Sequence, residues 1–222
     1  MDYIDEFLDE NFEGDIEYDH FIYAMSLPYV FNGKITNEPY LKPDLEKVVY
    51  YKEKMKDFNL KVGLVWTGNP RKNNVELSSI DARRSIKLSQ LEEMLNIPGI
   101  TFVSLQKDDA DNQIKNYPQI VDYMDEVKSF YDTTGIIENL DLIISVDTSV
   151  IHLAGGLGKP VWCFSRYVGC WRWASYPGHH KSTTVWYPEM RIYNQTMLDD
   201  WSEIISQVTD DLKKWADGQK SA

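Results

Sequence analysis

From residue 61 to the C-terminus, short apolar runs alternate with segments whose apolar positions fall three and four apart. Residues 61–66 (KVGLVW), 100–105 (ITFVSL), 142–146 (LIISV) and 161–164 (VWCF) are the apolar runs, each of strand length. Runs with no polar alternation belong to strands buried on both faces. Between them, residues 88–95 and 130–140 read as helices, the second with Phe130, Ile136, Ile137 and Leu140 on one face. A helix opens at Ser149 with Val150, Ile151, Leu153 and Ala154 as its apolar positions, and Gly155, Gly156, Gly158 and Pro160 close the segment. Shorter strands are predicted at 120–123 and 190–193. Residues 199–215 form an amphipathic helix, with Trp201, Ile204, Ile205, Val208, Leu212 and Trp215 at helical spacing. This succession predicts an α/β fold, a Rossmann-like doubly wound parallel sheet.

Residues 1–45 carry no such period. Acidic and aromatic residues mix there, and Pro28, Pro39 and Pro43 interrupt the segment, so one short helix at 22–30 and otherwise extended chain is expected. Residues 44–58 read as a helix with Asp44 as its cap. The expected division is therefore a leading segment, 1–58, and a Rossmann-like domain, 59–222.

Polar clusters follow the predicted strands, on the sheet edge where open α/β folds bind ligands. Thr67, Gly68, Asn69 and Pro70 follow the first, leading into a polar loop that ends in Arg83-Arg84-Ser85. Gln106 and Lys107 follow the second, Asp147-Thr148-Ser149 the 142–146 strand, and Ser165-Arg166 the 161–164 strand. Together they suit a ligand with anionic and hydroxyl-bearing parts. The free N–H groups and positive dipole end of the helix at Ser149 favour an anion, and His152, one turn in, adds a hydrogen bond or a charge. Each cluster also has a plainer reading: Asp147 or Thr148 as a helix cap, His152 as a packed core histidine, Arg83 and Arg84 as a solvated loop. Asp108, Asp109 and Asp111 read as charge matching ahead of a helix rather than a metal site, and His179-His180 as exposed loop. No GxxxxGK[ST] or GxSxG motif occurs.

With 222 residues, 43% of them hydrophobic, the chain can build one good-sized core. A net charge of −12 argues against nucleic acid as a partner, because phosphate backbones are held by surplus Lys and Arg. No apolar window reaches the roughly 18 residues of a membrane span, and the acidic N-terminus lacks a signal-peptide core. The expectation is a soluble, cytoplasmic protein. Cys163 and Cys170 fit neither a zinc knuckle nor a redox pair and read as reduced thiols.

The segments VGLVWTGNP, RRSIKL, FVSLQK, LDLIISVDTSVIHLAGGLGKPVW, WRW and WYPEMRIY resemble, in order and spacing, the C-terminal half of bacterial glycosyltransferases of the heptosyltransferase-like group, and within it the tetratricopeptide-associated enzymes. The resemblance runs from about residue 18 to 215. It implies the C-terminal, nucleotide-sugar-binding domain of a GT-B enzyme, with residues 1–58 as the remnant of an N-terminal domain and its linker. It also implies that Asp147, Thr148, Ser149 and His152 bind a diphosphate, Arg84 stands where a basic residue meets donor phosphates, Gln106 and Lys107 line the nucleotide pocket, and Gly68 and Asn69 shape the cleft wall. The implied ligands are a nucleotide-diphosphate sugar and a glycan or other hydroxyl-bearing acceptor, with no metal or other cofactor. The general base of the N-terminal domain has no counterpart in these segments. The acceptor side would then come from a separate domain or from self-association. The rival readings are a non-catalytic nucleotide-binding module and a protein-interaction module on the same fold.

Overall fold

A computed structural model describes residues 12, 14–15, 17–23, 30, 37–69, 75–107, 109, 111–173 and 181–220. The chain divides into two units, Met1–Ile35 and Thr36–Ala222. In the first, Phe12, Tyr18, Phe21 and Tyr23 are exposed, and the ring of Phe21 meets that of Tyr23 edge-on. The helix expected at 22–30 falls mostly outside the described residues.

Among its described residues the larger unit has six strands: β1 (Leu60–Val65), β2 (Ile100–Ser104), β3 (Val121–Asp122), β4 (Leu142–Val146), β5 (Val161–Ser165) and β6 (Met190–Asn194). They form one sheet in the order β3-β2-β1-β4-β5-β6, every pair parallel. This is the doubly wound Rossmann order. The apolar runs become the central strands because burial on both faces tolerates no polar alternation. All five residues of β4 are buried, and Leu64 beside Ile144 and Val62 beside Leu142 lie at the centre of the core.

The helices are α1 (Leu45–Lys54), α2 (Val75–Arg84), α3 (Glu92–Leu95), α4 (Phe130–Glu138), α5 (Ser149–Gly156) and α6 (Ser202–Lys220). α3 packs with α6, and α4 packs with α1 and α5, giving the two helical groups of a doubly wound sheet. Asp44 caps α1 as expected, its carboxylate accepting from the N–H groups of Glu46 and Lys47 at 2.9 and 3.2 Å. α1 belongs to the larger unit rather than to a leading segment. It docks on α4 at Gly135, where a Cβ would come within 2.8 Å of the Lys47 backbone, and Asn139 Nδ2 donates to Val48 O at 2.9 Å. Past the C-cap Leu157 of α5 stands Gly158, whose positive φ of 77° lets Lys159 N turn back onto Ala154 O.

Three expectations need correction. The polar loop before Ser85 contains a helix, α2; its polar face is held from within by Asp81, which is 5% exposed. The helix expected at 88–95 starts as a 3-10 turn, Leu88–Leu91, and only its last four residues are α-helical. Phe130, assigned to the buried face of its helix, is 60% exposed because it stands in the first turn, above the sheet edge. Among the described residues no helix is long and apolar enough to cross a membrane.

Candidate functional site

At the carboxyl edge, the chain leaving β1 crosses toward β2 and the chain leaving β4 crosses toward β5, so a crevice opens between them. A cleft of about 550 Å³ lies there. The loop after β1 contributes Thr67, Gly68 and Asn69, the end of β2 contributes Leu105, Gln106 and Lys107, and the start of α5 contributes Thr148, Ser149 and Val150. Arg84 closes one side. Seven of the nine candidate residues therefore share one cavity; Asp147 and His152 do not line it.

Gln106 works chiefly on the backbone. Its Oε1 accepts from Trp66 N at 3.1 Å and Thr67 N at 2.9 Å, and its Nε2 donates to Lys107 O at 2.9 Å. A buried amide thus completes the hydrogen bonds that β1 loses at its end, and fixes the loop that forms the cleft wall. Lys107 reaches across the cleft, its Nζ donating to Val127 O at 3.1 Å.

Arg84 is held on two sides. Its Nε donates to Asp81 Oδ1 at 2.8 Å, its Nη2 lies 2.6 Å from the same oxygen, and its Nη1 donates to Asp147 O at 3.0 Å. The residue expected to meet a phosphate therefore bridges α2 and the turn after β4. Gly68 has a matching reason to be glycine, since a Cβ there would collide with Asp81 Oδ1 and the Arg84 guanidinium.

α5 begins at the cleft. Thr148 takes the N-cap position in extended conformation, φ −135° and ψ 177°, without a side-chain bond to the first turn. Its hydroxyl lies 3.3 Å from Ser145 Oγ. The first-turn N–H groups of an α-helix have no intrahelical acceptor, and this cap supplies none. Asp147 offers its carbonyl to Arg84 rather than its carboxylate to the cleft.

His152 sits in an aromatic box. Its ring stacks on Trp173 with centroids 5.4 Å apart, and its Nδ1 lies 2.9 Å from Tyr187 Oη, which in turn lies 3.2 Å from Tyr40 Oη. Burial pushes the imidazole pKa down; the Asp147 carboxylate opposes that shift and Arg172 adds to it. The plainer reading of His152 as a packed histidine describes this placement. Gly155 makes room for the box, because a Cβ there would meet the Tyr187 ring at 2.5 Å.

The sequence reading missed the wall made by Met124, Val127, Lys128, Ser129, Phe130 and Thr133. One signal was available. Ser129 and Asp132 form a capping box, with Asp132 Oδ2 accepting from Ser129 N at 3.0 Å, and Ser-x-x-Asp is a readable helix start. That start places α4 beside the cleft. The apolar wall of Val65, Leu105, Met124, Val127 and Phe130 suits a flat ring, while the α5 N-terminus, Lys107 and Lys128 suit an anion.

Among the described residues no group of three His, Cys, Asp or Glu side chains is arranged to hold a metal. Asp109 Oδ2 accepts from Ile114 N at 2.9 Å, at the start of a 3-10 turn; Asp108, His179 and His180 lie outside the described residues. Both cysteines are free thiols, Cys163 buried in β5 with its pKa pushed up by burial.

No protein-family profile matches the chain. FlbA of Caulobacter vibrioides (strain ATCC 19089 / CIP 103742 / CB 15) is 24% identical over 189 residues, covering 80% of this chain. The chain spans only 29% of the length of FlbA. Among solved structures, one variant of the wall teichoic acid polymerase TagF superposes with a TM-score of 0.43 at 14% identity, over 78% of this chain and 40% of TagF. A second TagF variant gives 0.38 at 14% identity over 81% and 50%, and a crystal soaked with CDPG gives 0.38 at 12% over 79% and 49%. These superpositions are loose, and the fold assignment rests on the strand order alone.

Proposed function

We propose that the switch-point cleft binds a nucleotide-diphosphate sugar and that the chain is the donor-binding half of a GT-B-type glycosyltransferase. The observation that carries this reading is the uncapped N-terminus of α5, opening at the β1/β4 switch point opposite an apolar wall. The resemblance of the DTSVIHLAGGLGKP segment to heptosyltransferase-like enzymes supports it. The base lies against Leu105, Met124 and Val127, and the diphosphate meets the first turn of α5, with the Thr148 and Ser149 hydroxyls and Lys107 alongside.

Sugar transfer to an acceptor hydroxyl by direct displacement needs the departing diphosphate to be stabilised. The first-turn N–H groups of α5 and Lys107 supply that charge stabilisation without a metal; such preorganised donors are worth ~3 kcal/mol each in a dry site. Arg84 and His152 leave the diphosphate-binding set in this reading. Arg84 positions the turn after β4 through Asp147 O, and His152 fixes α5 through Tyr187. The acceptor and its general base come from outside the cleft, from another domain or another copy of the chain.

The engagement of Arg84 with Asp81 also favours a second reading, a nucleotide-binding module without turnover, because it leaves the cleft with few uncommitted cations. The test is calorimetric titration of the chain with UDP, GDP, ADP and CDP, without and with magnesium, alongside Lys107→Met and Thr148→Val. Micromolar binding of one nucleotide, at least tenfold weaker in Lys107→Met and unchanged by magnesium, is the expected result. Failure of all four nucleotides to bind would overturn the cleft assignment. Release of free sugar from the matching nucleotide sugar separates the enzyme from the module.

A further inference from the structure

A second cavity, of about 210 Å³, lies at the carboxyl ends of β5 and β6, lined by Arg83, Arg166, Tyr167, Val168, Gln195 and Leu198. It shares no lining residue with the switch-point cleft. Arg83 and Arg84 are consecutive yet serve different cavities, because successive positions on a helix point about 100° apart.

Gln195 is the informative residue. It is 1% exposed and fixed in place: its backbone N donates to Ser165 O at 2.8 Å, and its Oε1 accepts from Tyr167 N at 2.9 Å. Its Nε2 is nevertheless buried with no hydrogen-bond partner, as is the Oγ of Ser165 at the end of β5. A buried donor left unpaired is destabilising, and native structures retain few of them. The Oε1 bond fixes the amide, so Nε2 cannot be exchanged for an acceptor without breaking the turn at Tyr167.

The charged residues that line the cavity with Gln195 are two arginines. Arg83 and Arg166 both line the cavity, while Arg84 is turned to Asp81. Burial holds the Arg166 guanidinium below its ordinary pKa; Asp147 opposes this, and Arg83 and Arg84 add repulsion. Two arginines at one cavity in a chain of net charge −12 are a local arrangement, not a consequence of composition. An acceptor anion would relieve both the repulsion and the unpaired amide.

We propose that this cavity is an anion-binding site for a carboxylate or phosphate carried by a substrate, with Arg83, Arg166 and Gln195 Nε2 as its donors. Paired guanidinium groups and an amide N–H match the planar or tetrahedral oxygens of such a group. Tyr167, Val168 and Leu198 enclose the carbon atoms that bear it. The site selects an acidic substrate over a neutral one, and it stands whether or not a nucleotide occupies the cleft.

The test titrates the whole chain with inorganic phosphate and, separately, malonate, by calorimetry and by ¹H–¹⁵N spectra of arginine Nε–H and the Gln195 side-chain amide. Saturable binding that shifts the Gln195 amide is expected. It should weaken at least fivefold in Arg83→Met and at least tenfold in Gln195→Glu, which keeps an acceptor for Tyr167 N but loses the donor. Lys213→Met, outside both cavities, should leave it unchanged. Saturation by phosphate alone identifies a phosphoryl group, and saturation by malonate a carboxylate. Absence of saturation by both anions, or saturation unaffected in both Arg83→Met and Gln195→Glu, overturns the proposal.

Discussion

Arg84 joins two parts of the sheet edge that the chain order keeps far apart, pairing with Asp81 on its own helix and with the carbonyl of Asp147 after β4. Asp81 is buried, so removing its partner leaves a carboxylate in a poorly solvated place. Arg84→Ala is expected to cost about 3 kcal/mol of stability, read as a lower urea midpoint, and Asp81→Asn with Arg84→Met should recover part of that loss. A midpoint equal to the wild type for Arg84→Ala would mean that the bridge holds nothing. Gly68→Ala acts on the same pair from the β1 side, where the new methyl displaces the guanidinium; a loss of roughly 1–3 kcal/mol is expected.

At the scale of elements, the contact between α1 and α4 has a chemical and a steric part. Lys47 meets Asp132 at 2.7 Å, and the same carboxylate accepts from the Lys128 and Ser129 N–H groups at 3.0 Å. Lys47, those backbone donors and the Ser129 hydroxyl bring the Asp132 pKa down to about 2. A carboxyl whose folded pKa lies below its unfolded value of about 3.9 stabilises the fold above that value and loses the contribution as pH falls toward 2. Wild type should therefore lose roughly 1–2 kcal/mol more than Asp132→Asn between about pH 4.5 and 2, as measured by urea unfolding at each pH. Equal slopes would show that Asp132 is not coupled to folding. Gly135→Val, which drives a side chain into the Lys47 backbone, should separate α1 from α4 at a cost of about 2 kcal/mol or more, visible as loss of amide protection in α1.

At the scale of the whole molecule, the switch-point cleft and the loops that define it are held by tertiary bonds, so a ligand seated there should report on global unfolding. A nucleotide at a hundred times its dissociation constant should raise stability by ~2.7 kcal/mol, equally with and without EDTA, as measured by thermal unfolding. Stabilisation that vanishes with EDTA would replace the metal-free scheme with a metal-dependent one. The sheet order also explains why the two cavities are separate: the chain leaves β1 toward one side and β4 toward the other, and Arg84 crosses between them.

The strands, their parallel arrangement and the turn after β4 were legible in the sequence, because an uninterrupted run such as 142–146 is stable only where both faces are covered and Asp-Thr-Ser ends it. Seven of the residues lining the cleft were legible for the same reason, since residues just past the strands fall on one edge whatever the helices do. The bonds those residues make within the chain were not. Arg84 and Gln106 read as ligand groups until the fold supplied Asp81, Asp147 O and the β1 backbone as partners, each distant in sequence or hidden in a polar helix. His152 lies one turn past Ser149, but the Trp173 and Tyr187 rings that surround it arrive from a loop with no period to announce them. Local pattern decides which segments are strands and which edge is polar. Which polar atoms remain available for a ligand is decided only when distant parts of the chain have taken up the others.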